Sequence, residues 1–164
     1  MLEYVIVARH GLCSGFPNKY LNPKGKIQTR NLASALKPLL KGLPLLLFAS
    51  FANWVMESAE IFGAEYGISP QEFPALFAMP PYLDTQKVLQ LIASKMDSSD
   101  AIVLFTHQEC ASSLAEMCLI TFLQKTHPLN PLWESEAYII SLSKSRLLKY
   151  ATVPKENLIK IPLS

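Results

Sequence analysis

The run Tyr4-Val5-Ile6-Val7-Ala8-Arg9-His10-Gly11 decides how the rest of this chain is interpreted. Its apolar, mostly β-branched part is typical of a strand inside a sheet that is covered on both faces. The run then ends abruptly in a cation, an imidazole and a glycine. In open α/β sheets ligands bind at the carboxyl ends of the strands, so Arg9 and His10 are predicted to lie where chemistry takes place.

A second run of the same design lies about a hundred residues further along the chain. Ala101-Ile102-Val103-Leu104-Phe105-Thr106 is again apolar, and it is also followed by a histidine, His107. A strand that simply ends in solvent would explain either run alone. Because parallel strands end at the same edge of a sheet, the repetition favours one site that contains both His10 and His107.

Strands and helices are predicted to alternate along most of the chain. Strands are expected at 3–9, 45–49 and 101–106, with a possible short one at 73–77, and helices at 23–41, 52–66, from Asp84 or Thr85 to the turn at 97–100, and over about 15 residues after His107. Residues 136–143 and 147–152 resemble an antiparallel hairpin, and 154–164 an extended tail. The pattern predicts a single domain, residues 1–164, with a three-layer α/β/α architecture and a mostly parallel sheet.

Composition excludes several classes of function. Half of the 164 residues are apolar and 17% are charged, as in a globular protein. The net charge of +2 comes without a block of Lys and Arg, so nucleic acid is not an expected partner. The apolar stretch at 43–56 is too short for a membrane span, and no membrane partner is expected. Three cysteines without a C-x-x-C pair, and a beginning unlike a signal peptide, favour a reduced, cytoplasmic setting.

The motifs for several common reactions are missing around the two histidines. Neither histidine belongs to an H-x-x-x-H arrangement that would supply a further metal ligand, so no metal and no cofactor is predicted. The G-x-S-x-G turn of serine hydrolases and the glycine-rich phosphate loops do not occur. Phosphoryl transfer through histidine remains, with a neutral imidazole attacking phosphorus while an arginine and a second, protonated imidazole hold the oxygens.

The motifs of residues 4–143 resemble those of the histidine phosphatase superfamily, the phosphoglycerate mutase-like proteins, and especially their short bacterial phosphohistidine phosphatases. The similar segments are Arg9-His10-Gly11, Asn22-Pro23-Lys24-Gly25-Lys26-Ile27-Gln28, Ser58-Ala59-Glu60-Ile61, and the strand that precedes His107. The resemblance implies a phosphoglycerate mutase-like fold. It also implies that His10 is the nucleophile, Arg9 a phosphate ligand and His107 the second histidine. The expected partner is a phosphorylated small molecule or a phosphoprotein.

The chain departs from this family at the second phosphate-binding arginine, whose position holds Trp54. Thr106 replaces a glycine, and Glu109 adds a carboxylate near the expected anion. Two hypotheses follow: a weak phosphatase acting through His10, or a catalytically impaired pseudophosphatase that binds an anion or a phosphorylated partner. Trp54 offers a flat face to a ligand, and Gly11 and Asn18 are the other predicted substrate-binding residues.

Three acidic residues are assigned structural or solvent-exposed positions. Asp84 is the nearest candidate for a proton donor to the leaving group, but a helix cap is the better interpretation. Glu134 and Glu136 precede the predicted hairpin, and a solvated edge is expected for both. Asn18 and Lys19 both lie in the loop at 12–22, and either is a candidate for a contact with phosphate, although a solvated loop is the better interpretation.

Overall fold

The computed structural model describes residues 1–15, 19–80, 82–152 and 158–163, which form one seven-stranded sheet with helices on both faces. The strands are β1 (Tyr4–Arg9), β2 (Leu45–Ala49), β3 (Gln71–Glu72), β4 (Ala101–Thr106), β5 (Ala137–Ser141), β6 (Arg146–Tyr150) and β7 (Leu158–Ile161). The helices are α1 (Pro23–Leu40), α2 (Asn53–Ala64), α3 (Thr85–Ser94) and α4 (Gln108–Cys118).

The sheet has the order β3-β2-β4-β1-β5-β6-β7. β3, β2, β4 and β1 pair in parallel, whereas β5, β6 and β7 pair with their neighbours in antiparallel fashion. β1 and β4 are adjacent and every residue in them is buried. The two strands that precede the histidines therefore lie at the centre of the sheet.

Alternate residues of β1 enter two separate hydrophobic layers. Tyr4, Ile6 and Ala8 pack with the buried residues of α1 and α2, while Val5 and Val7 pack with those of α3 and α4. Successive side chains of a strand point to opposite faces, so an entirely apolar strand requires cover on both sides. The predicted three-layer α/β/α architecture with a mostly parallel sheet is confirmed.

The first helix begins as its sequence predicts. The side chain of Asn22 accepts a hydrogen bond of 2.8 Å from the backbone N–H of Gly25, and Pro23 occupies the first helical position. Pro lacks an N–H that would need a partner there, so this pair specifies the helix start. The start of α1 lies directly beside the loop that follows His10, and it helps to position that loop.

Two segments differ from the prediction. The strand expected at 73–77 is instead a 3₁₀ turn at Pro74–Leu76, and the short β3 precedes it. Pro74 has no N–H for a strand ladder, which explains the difference. The helix after His107 ends its regular part at Cys118 and continues as a π-type turn over Leu119–Leu123.

The hairpin near the C-terminus is confirmed as β5 and β6, and part of the predicted tail adds β7 at the sheet edge. Residues 153–157 and 164 of that tail lie outside the described residues. Among the described residues, the helices are all too short or too polar to cross a membrane.

Candidate active site

β1 and β4 place the two predicted histidines side by side. The strands pair with Arg9 opposite Thr106, so His10 and His107 leave the same edge of the sheet together. The backbone N–H of His10 donates to the carbonyl of Thr106 over 3.2 Å. The ring centroids of the two histidines are 5.8 Å apart, and the residues are 8% and 6% exposed. Two imidazoles therefore share one poorly hydrated site.

His10 has a defined tautomer. Its Nδ1 lies 2.8 Å from the carbonyl oxygen of Gly11, and because a carbonyl only accepts, Nδ1 carries the proton. Burial lowers the pKa of His10, the bond to Gly11 raises it and the charge of Arg9 lowers it. The ring is therefore neutral at neutral pH, and the lone pair of Nε2 is available as a nucleophile.

Gly11 positions His10 through its backbone. Its N–H donates to Oγ of Ser58 over 3.0 Å, while its carbonyl accepts from His10. A Cβ on Gly11 would lie 2.6 Å from the carbonyl oxygen of Gly25 and 2.9 Å from Oγ1 of Thr29. Gly11 was predicted to bind substrate, but both of its backbone polar groups already have partners. The backbone of Gly11 therefore holds His10 in place, and its contact with substrate stays a prediction.

His107 is held by a serine from the neighbouring strand. Ser50 follows β2, and its Oγ lies 3.0 Å from Nε2 of His107. Burial lowers the pKa of His107 to about 4, and the nearby His10 and Lys19 act in the same direction, whereas Glu109 raises it. The protonated second imidazole expected from the sequence is thus neutral in the free protein. A bound anion would favour its protonation.

Trp54 forms an aromatic cluster with both histidines. It lies in the first turn of α2, and its ring meets His10 edge-on at 6.2 Å and His107 edge-on at 5.8 Å between centroids. The indole is partly buried against the core layer beneath α2. Trp54 consequently occupies the position that the resemblance assigns to a second arginine, in direct contact with both imidazoles.

A cation from the loop after β1 lies over this indole. Nζ of Lys19 is 4.9 Å from the centroid of the Trp54 ring, which is within the range of a cation–π interaction. Lys19 also lowers the pKa of His107, by less than burial and the neighbouring His10 do. The predicted ligand Asn18 lies outside the described residues.

Arg9 lies at the predicted edge, but protein groups already use part of its guanidinium. Nη1 donates to the carbonyl of Leu132 over 2.8 Å, and Nη2 to the carboxylate of Glu134 over 2.9 Å. The expectation that Glu134 is a solvated edge residue is therefore wrong. Nε of Arg9 is buried and has no hydrogen-bond partner among the described residues. A buried N–H without a partner is costly, so this donor suits an external acceptor.

The turn at 74–76 brings further aromatic side chains to the site, which the sequence did not predict. The hydroxyl of Thr106 donates to the carbonyl of Leu76 over 2.7 Å and so fixes this turn to the end of β4. Phe77 then meets the ring of His107 edge-on at 5.1 Å. Phe51 stacks on Phe77 at 4.5 Å. Because the sequence predicts a short strand at 73–77, the contact of Phe77 with His107 was not expected.

The remaining acidic candidates have other roles. Asp84 caps α3 by accepting from the backbone N–H of Lys87 over 3.0 Å, and this bond lowers its pKa, so it is a carboxylate at the helix start. Glu136 is buried and pairs with Lys149 at 2.9 Å, contrary to the expected solvated edge. No group of three or more potential metal ligands occurs within the described ranges.

Comparison with known proteins rests on structure, since no family model and no curated protein matches the chain in sequence. SixA of Agrobacterium tumefaciens, which bears the name of a phosphohistidine phosphatase, has a TM-score of 0.62 at 14% identity over 99% of this chain and 97% of its own. A mycobacterial glucosyl-3-phosphoglycerate phosphatase in complex with VO3 has a TM-score of 0.65 at 15% identity, over 99% and 97%. The chain has the histidine phosphatase fold. The fold implied by the sequence motifs is therefore confirmed.

Proposed function

We propose that this chain is a slow phosphatase of the histidine phosphatase type, in which His10 carries the phosphoryl group transiently. The observation that carries the proposal is the bond from Nδ1 of His10 to the carbonyl of Gly11, which leaves Nε2 unprotonated beside His107. A buried neutral imidazole whose tautomer is fixed is a competent nucleophile. Residues that resemble this pair act in the same manner in the superfamily.

The reaction has two steps. Nε2 of His10 forms a bond to phosphorus while the bond from phosphorus to the leaving group breaks, and the leaving group departs with the bonding electrons. Water then attacks phosphorus, the N–P bond breaks, and inorganic phosphate leaves with His10 neutral again. Nε of Arg9 can donate to a phosphoryl oxygen, and His107 can donate once the bound anion has raised its pKa.

The substrate that suits this site best is a phosphohistidine, with a phosphomonoester that has a good leaving group as the second choice. When the other nitrogen of its ring carries a proton, a phosphohistidine releases a neutral imidazole and needs no strong acid. Asp84, the candidate acid, instead caps α3. Two of the structural neighbours bear the name phosphohistidine phosphatase, which supports the same choice.

Two features favour a low rate. Because Trp54 stands in place of an arginine, a bidentate contact to the phosphoryl group is absent, which costs on the order of 2–4 kcal/mol of transition-state stabilisation. Glu134 pairs with Arg9 and competes with the anion for its charge. The same two features favour the second candidate function, a pseudophosphatase that binds an anion or a phosphorylated partner without turnover.

The test is hydrolysis of an aryl phosphate and of phosphohistidine by the wild type, by His10→Ala and by His127→Ala. His127 lies outside the helices and strands, directly before Pro128, and serves as the matched histidine control. We expect turnover in the wild type and the control but not in His10→Ala, with an alkali-stable phosphoprotein trapped only when His10 is present.

Equal rates for the wild type and His10→Ala on both substrates would reject the enzyme. If such a wild type still bound inorganic phosphate in calorimetry, the pseudophosphatase would be the correct function. Failure to bind phosphate as well would reject both candidates.

A further inference from the structure

The site needs a second positive charge in place of the missing arginine, and the structure contains a candidate for it. We propose that Lys19, held over the indole of Trp54, binds the phosphoryl group as the second cation of the site. This inference rests on the proposed function, and it concerns a residue for which the sequence leaves both a phosphate contact and a solvated loop open.

The placement of Lys19 follows from the aromatic cluster. The ring centroids of Trp54, His10 and His107 are 5.8 to 6.2 Å apart, so the three rings pack edge-on against one another at the edge of the sheet. The ammonium lies 4.9 Å from the indole centroid. The negative face of the indole attracts the cation, and the charge is thereby kept beside the space in which a phosphoryl group would meet Nε2 of His10.

The charge balance of the site gives the ammonium a function. A phosphoryl group brings up to two negative charges, both histidines are neutral in the free protein, and Glu134 offsets the charge of Arg9. Even when the anion has brought a proton to His107, a dry site with one compensated arginine would leave part of a dianion's charge unbalanced. Lys19 supplies the additional positive charge on the side where Trp54 stands.

A lysine in this role differs from an arginine in its geometry. An ammonium is a point charge with three rotatable donors, whereas a guanidinium presents a rigid fork that matches two phosphoryl oxygens. The pair formed by Lys19 and Trp54 therefore restores charge but not two-pronged positioning. A low rate combined with retained affinity for phosphate is the expected consequence.

The experiment compares Lys19→Met, Lys19→Arg and Trp54→Arg, and combines Lys19→Met with Trp54→Arg. Lys41→Met is the control, because Lys41 is exposed and lies at the far end of α1. The readouts are kcat and KM for an aryl phosphate, and the Kd for inorganic phosphate by calorimetry. The calorimetric Kd depends on no turnover.

Lys19→Met should lower kcat/KM and weaken phosphate binding by about ten- to a hundred-fold, as expected for loss of a charge-assisted contact. Lys19→Arg should retain most of the binding, and Lys41→Met all of it. With Trp54→Arg present, the added Lys19→Met should cost less than threefold, because the new guanidinium supplies the charge.

Phosphate binding and kcat/KM in Lys19→Met within twofold of the wild type would overturn the inference, as would a wild type that binds no phosphate. A wild type with no His10-dependent turnover would instead reject the proposed enzyme, while the phosphate Kd of Lys19→Met would still decide the role of Lys19. The two failures are therefore distinguishable.

Discussion

Arg9 lies at the predicted site, but its ion pair with Glu134 limits the positive charge that it can offer to a ligand. Its backbone ends β1 as the sequence predicts, but Glu134, 125 residues further along the chain, accepts from Nη2. An ion pair that is mostly removed from water attenuates the charge that either partner presents to a ligand. The carboxylate of Glu134 consequently behaves as an internal competitor of the phosphoryl group.

Glu134→Gln should therefore tighten the binding of inorganic phosphate. The amide oxygen can still accept from Nη2 of Arg9, while the negative charge is gone, so we expect the inhibition constant of phosphate to fall by about three- to tenfold. The measurement is inhibition of aryl phosphate hydrolysis, with Glu65→Gln as the control because Glu65 pairs with Lys37 on the surface. Weaker phosphate binding in Glu134→Gln would show that the carboxylate serves to hold Arg9 in place.

The residues of the site that follow buried strands could be predicted, and those contributed by loops could not. His10 and His107 each follow an apolar run, and the parallel pairing of β1 and β4 brings them together. Glu134 and Phe77 lie in irregular segments, where no periodicity relates sequence to position. The position of Lys19 could not be predicted for the same reason, since its contact with Trp54 joins a loop to a helix.

At the scale of elements, the contact between the loop after β1 and the start of α1 determines where His10 points. The backbone N–H of Leu12 donates to the side chain of Gln28 over 3.2 Å, and Gly11 lies against the carbonyl of Gly25. The Asn22-Pro23 start of α1 was predictable from its cap chemistry. The close approach of two glycines from different elements was not, because it depends on tertiary packing.

Gly11→Ala should destabilise the protein by about 1–3 kcal/mol, the usual cost of forcing an extra carbon into a packed region. It should also reduce activity, since the carbonyl that fixes the tautomer of His10 would shift. Gly15→Ala is the matched control, because a Cβ there meets no atom within 4 Å. Urea unfolding measures the first effect. A Gly11→Ala protein as stable as Gly15→Ala would contradict the packing argument.

The whole molecule places the buried histidine pair at the carboxyl ends of the two central strands of the sheet. That position follows from alternation along β1 and β4, whose opposite faces enter the two core layers. The three-layer architecture was predictable because apolar strands alternate with amphipathic helices over most of the chain. The cost of such burial is electrostatic: without a bound anion, burial favours the neutral form of both imidazoles over the protonated form.

Stability should therefore fall as the solution becomes acidic. His107 has an ordinary pKa of 6.5 in the unfolded chain and about 4 in the folded protein, and the pKa of His10 is lowered as well. Above pH 6.5 neither the folded nor the unfolded chain protonates these histidines, so they do not reduce the free energy of unfolding. Between pH 6.5 and about 4 the unfolded chain binds more protons, so the free energy of unfolding decreases, by up to about 3 kcal/mol for His107.

Urea unfolding at pH 7.5, 6, 5 and 4.5, roughly the window in which His107 titrates, measures this loss. His107→Gln lacks the titrating ring, so its free energy of unfolding should fall less steeply over that window than that of the wild type. Because carboxylates titrate in both proteins, the difference between the slopes isolates His107. Equal slopes in the wild type and His107→Gln would mean that folding does not lower the pKa of His107, contrary to the argument from burial.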